Sequence, residues 1–189
     1  MSDAIKAALN PNGGIDVNAG AVDTTTGALE FIDYAHHEVH AGKHYNYLDT
    51  HTLAKNGVID HMIVTPDTDT YAHFVIGGDT ITSTVLLAMY EGTTYSDPGI
   101  VEPMINRNRN FPDDNTTELY ETPTITDLGT RLLQITMGAG KNSEGGSSRD
   151  DNEIVLKRNT AYLIRATEQN IASTVVNLKF DWYEQTIGA

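Results

Sequence analysis

The 189-residue chain contains no cysteine. That rules out disulfides, thiolate nucleophiles and thiolate zinc sites, and it suits folding in a reducing cytoplasm without requiring it. Long apolar runs are missing too: none approaches the roughly 20 residues that cross a bilayer as a helix. The opening "MSDAIKAALNPN" lacks a basic segment followed by an apolar one, so no secretory leader is expected. Positive charge is scarce, with 12 Lys and Arg against 26 Asp and Glu and a net charge of −14. Nucleic-acid binding needs a basic surface to displace condensed counterions, and this balance opposes it. The hydrophobic content of 39% is ordinary for a globular chain, and the length allows one real core with an appendage.

Residues 1–30 differ from the rest. "SDAIKAALN" (2–10) has a capping Ser2, Ile5 and Leu9 on one helical face, and Asn10-Pro11 to end the turn. The stretch that follows, "PNGGIDVNAGAVDTTTGA", is rich in Gly, Asn, Asp and Thr without periodicity. It reads as an extended arm. From Tyr45 onward the pattern is β. Short segments rich in Val, Ile and aromatics occupy 58–65, 71–77, 83–91, 116–122, 131–137, 152–157, 161–168 and 173–184, each bounded by turn residues. In "VNLKFDW" Val176, Leu178, Phe180 and Trp182 alternate with Asn177, Lys179 and Asp181, the signature of a half-buried antiparallel strand. The expected fold is all-β, an antiparallel sandwich or jelly roll over 31–189. Two long connectors interrupt it, "SDPGIVEPMINRNRNFPDDN" (96–115) and the Gly/Ser-rich "GAGKNSEGGSSRDD" (138–151).

Histidines His36, His37, His40 and His44 cluster in "FIDYAHHEVHAGKHYNY". The zincin pattern H-E-x-x-H is one residue too long for His37-Glu38-Val39-His40. In a strand, His36 and His40 stand roughly 13 Å apart. Jelly-roll cupins hold a metal with an H-x-H pair, which this chain lacks. The stretch therefore reads as the start of the first strand or a subunit contact, with no metal, cofactor or catalytic residue assigned. "GAGKNS" fails as a phosphate loop, because Ile135 replaces the first glycine, Asn142 follows Lys141, and a strand, not a helix, comes next. "INRNRN" places Arg107 and Arg109 on one side of an extended segment, suited to pairing with Asp113 and Asp114 in the same or a neighbouring subunit. The acidic clusters "PDTDT" and "RDDNE" lack an EF-hand pattern, and no G-x-S-x-G elbow occurs.

The order "HHEVHAGKHY", "LLAMYEGTTY", "NRNRN", "ETPTIT", "DDNEIVLKRNTAYLIRAT" and terminal "FDWYE" resembles small virion proteins of tailed bacteriophages, of the capsid decoration or cement type. The resemblance covers roughly residues 35–184. It implies a non-enzymatic β-sandwich made in the host cytoplasm, bound to the outer capsid surface and commonly trimeric. Its partners are then the major capsid protein and further copies of itself, with no nucleic acid and no membrane. The arm lies outside the resemblance, but its composition cannot build a core and can order on a partner, so Ile5, Leu9, Ile15 and Val17 are the expected capsid anchors; His36, His40, Arg107 and Arg109 are the expected subunit contact. Two other classes stay open: a head-fibre or tail-associated module that binds host carbohydrate, through Trp182 or tyrosines, and a cupin-like metalloenzyme.

Overall fold

The computed structural model describes residues 34–138, 153–169 and 171–186. The chain divides into two compact units, Met1–His37 and Glu38–Ala189. The expected arm, its anchors Ile5, Leu9, Ile15 and Val17, and nearly all of the Gly/Ser connector lie outside the described residues.

A short helix, α1 (Tyr34–His40), holds three of the four clustered histidines. This corrects the strand expected there; of the four histidines only His44 belongs to a strand. The cause is local. Gly42 adopts φ +70°, and the N–H groups of Gly42 and Lys43 donate to Val39 O (3.2 Å) and Glu38 O (2.9 Å). This pair of bonds closes a helix on a left-handed glycine. Gly42 also lies beneath the Phe111 ring, where an added Cβ would come within 2.4 Å of a ring carbon.

The described strands are β1 (His44–Leu53), β2 (Val58–Val64), β3 (Thr70–Thr80), β4 (Val85–Glu91), β5 (Thr94–Asp97), β6 (Ile100–Val101), β7 (Ile105–Asn106), β8 (Glu118–Glu121), β9 (Thr124–Asp127), β10 (Thr130–Met137), β11 (Ile154–Val155), β12 (Ala161–Glu168) and β13 (Thr174–Thr186). Every segment expected as a strand contains one. The long 96–115 connector carries the short strands β6 and β7 and the end of β5.

The pairing is antiparallel throughout. One sheet has the order β11-β3-β13-β1-β7 and the other β10-β4-β12-β2-β8-β6, with β5-β9 as a separate ribbon. Without the short strands β6, β7 and β8, two four-stranded sheets remain: β1-β13-β3-β11 and β2-β12-β4-β10. The chain visits them alternately, except that β4 and β10 share a sheet across the insertion holding β5 to β9. That path is the jelly roll.

Inward-facing side chains of both sheets form one core. Tyr45, Tyr47, Phe74, Ile76, Leu178, Phe180 and Trp182 from the first sheet meet Ile59, Ile63, Leu87, Met89, Leu119, Tyr162 and Ile164 from the second. The period-2 alternation of β13 places Val176, Leu178, Phe180 and Trp182 in this core and leaves Lys179 outside.

Candidate metal centre

Asp49 and His51 are alternate residues on β1, so both point to the same face of the strand as Tyr45 and Tyr47. That face is the sandwich interior. A turn at 54–57, closed by Gly57 N donating to Ala54 O at 2.7 Å, carries the chain to β2 in the opposite sheet. There His61 shares the inward parity of Ile59 and Ile63 and is fully buried. Glu121 on β8 is the register partner of His61. The pairing of β7 with β1 is confined to Tyr45 and Asn46. From Tyr47 onward, no strand among the described residues pairs with this side of β1, and the four polar side chains occupy the space between the sheets there.

Their donor atoms converge. Asp49, His51, His61 and Glu121 each offer one ligand atom, and all four lie within 4.8 Å of one another. His61 Nε2 is 3.1 Å from Asp49 Oδ2, and His51 Nε2 is 3.3 Å from Glu121 Oε1. His51 Nε2 also contacts Asp49 Oδ2 closely. The His61 ring sits edge-on to Tyr47, His51 and Phe180, with centroids 5.3–5.7 Å away. Its Nδ1 has no hydrogen-bond partner.

The electrostatics follow from this enclosure. Burial, only partly opposed by Asp49, pushes the His61 imidazole down to about 4, so the ring is neutral at pH 7 and carries a free lone pair. Burial alone would raise Asp49. The hydrogen bond and charge of His51, with the Thr50 N–H at 2.7 Å, outweigh it and hold the carboxyl below its usual range. Glu121 is raised, first by burial and then, against the His51 charge, by the neighbouring Asp49 and Glu102 carboxylates. Glu102 is tied in by the Tyr47 hydroxyl, which donates to it at 3.3 Å. No Lys or Arg among the described residues forms an ion pair with Asp49, Glu102 or Glu121. Three carboxylates thus share a half-buried space with two imidazoles and, among the described residues, no paired Lys or Arg.

None of these four residues stands out in a search for H-x-H or H-E-x-x-H. The signal was nevertheless present. "DTH" places two ligand types on one strand face, and a histidine interrupts the inward apolar parity of "VIDHMIV". Glu121 has no sequence signal, since it meets His61 only through the β2–β8 pairing.

The residues expected at a subunit contact fall elsewhere. His36 and His40 are one turn apart on α1. Arg107 and Arg109 lie in the loop after β7, and Asn108 Nδ2 donates to His40 O at 3.2 Å, so this loop borders the helix end. Arg109 pairs with Asp113 at 2.8 Å, as its spacing suggested. Arg107 turns instead to Asp181 on β13 at 3.4 Å, beside His44. Trp182 is fully buried, stacked on Tyr45 and Phe74, and offers no platform for a sugar. No protein-family model and no curated protein matches the chain.

Proposed function

We propose that the protein is a virion structural module that binds the outer surface of a tailed-phage capsid and stabilises it. The observation that carries this reading is the contrast between the arginine loop and the rest of the surface. In a chain of net charge −14, the 105–111 segment exposes Ile105, Arg107, Arg109 and Phe111 together. Apolar side chains and arginines rimmed by polar loops are the composition of protein contact surfaces. The jelly roll supplies a rigid scaffold, and the chain's acidity weakens attraction to nucleic acid. The order of sequence motifs, which resembles that of decoration proteins, adds to this support.

The test is addition of purified protein to intact, DNA-filled heads that lack it. External attachment requires uptake from solution to near saturation. Uptake only by broken shells, or protease protection of the bound protein in intact heads, overturns the reading.

A further inference from the structure

We infer that Asp49, His51, His61 and Glu121 form a binding site for one divalent first-row transition ion of the zinc class, which staples the two sheets together along β1. The inference is independent of the capsid reading.

The donor set selects the ion. Two imidazoles and two carboxylates suit zinc and its first-row neighbours, whereas calcium and magnesium prefer oxygen alone. Zinc held at about 2.0–2.1 Å by four tetrahedral ligands has donor atoms roughly 3.3 Å apart. Two of the observed separations, 3.1 Å and 3.3 Å, already have this spacing. The Asp49–His51 pair is closer and must open as the ion enters. Both histidines present Nε2 to the same carboxylate oxygen, the convergence that a central cation would satisfy. Such a cation would also supply a fixed positive charge, which no described Lys or Arg gives Asp49, Glu102 or Glu121 through an ion pair.

The placement suggests the role. Asp49 and His51 belong to one sheet, His61 and Glu121 to the other. A bound ion ties β1 to β2 and β8 where no strand among the described residues pairs with that side of β1. In a chain without cysteine this takes the place of a disulfide. With four protein ligands no position is left open for a substrate, so the site is structural. Binding favours the folded state by mass action, because the unfolded chain does not hold these ligands together.

The experiment uses the full chain, stripped with chelator and titrated with Zn²⁺ by calorimetry, and with Co²⁺ followed by its visible absorption. The expected result is one ion per chain, tetrahedral Co²⁺ bands, and a zinc-dependent rise in melting temperature. His51→Ala and the isosteric Glu121→Gln should each weaken Zn²⁺ by more than about a hundredfold, beyond what losing a supporting residue costs, and abolish the rise. Their metal-free melting separates lost binding from lost folding. A triple variant replacing His36, His37 and His40 with Ala should bind as the parent does. Absence of stoichiometric binding overturns the inference, as does binding that survives in both site variants or disappears with the helix histidines.

Discussion

Glu168, at the end of β12, is buried and surrounded by donors. Ser83 Oγ donates to it at 2.5 Å, Asn56 N at 2.6 Å, Ile171 N at 2.8 Å and Ala172 N at 3.2 Å. Burial would raise this carboxyl, but the Ser83 bond and then the backbone N–H groups overcome it and hold it at about 2. The sign of the pH effect follows. The folded group binds its proton more weakly than the unfolded one, so its stabilisation is complete above the ordinary glutamate value. It is lost as pH falls from there to about 2. Glu168→Gln should therefore lower denaturant stability at pH 7, and the gap to the parent should close below about pH 4. A gap that is constant with pH removes this assignment. Gly42 provides a second check. Gly42→Ala puts a side chain on left-handed backbone, at about 1–2 kcal/mol, and drives its Cβ into the Phe111 ring. Thermal melting should show a loss at least that large.

Strand β13 is the element on which the core depends. It pairs along its length with β1 and β3, and Phe180 lies against Tyr47, His61 and Phe74. Phe180→Ala should cost about 3–5 kcal/mol by denaturant titration, as expected for a fully buried aromatic. Lys179→Ala, one residue away on the exposed face, should stay within about 0.5 kcal/mol. Alternation made this strand legible, because period 2 places each side chain on a face without help from the rest of the fold. Helix α1 was not legible in that way. Seven residues are too few to display a 3.6 period, and its decisive signal is the single Gly42 beyond its end. The pair β6 and β7, two residues each, likewise exists only because β8 and β1 offer edges to join.

At the scale of the whole molecule, the proposed capsid role assigns attachment to the arm and the arginine loop. Removing residues 1–30 should leave a folded sandwich that no longer attaches to heads. Unchanged uptake by the truncated protein excludes the arm from the interface. Attachment dominated by apolar burial should weaken only modestly with added salt, since exposed charge pairs are screened within about 10 Å at 0.1 M. Self-association fits the proposed role, because several linked copies gain avidity on a shell; that the copies are trimers is what the resemblance to decoration proteins implies. A monomeric mass in solution together with isolated copies on the virion would remove that expectation.

Composition and alternation by themselves determined the all-β class, the inward face of β13 and the acidity that opposes nucleic acid, because each depends only on residue type and local period. The jelly-roll path and the Asp49–His51–His61–Glu121 cluster were decided by tertiary structure. Asp49 and Glu121 are 72 positions apart in the chain, and no local rule relates them. They meet because β1 and β2 turn into opposite sheets while β8 returns beside β2, and only that crossing brings two imidazoles and two carboxylates together.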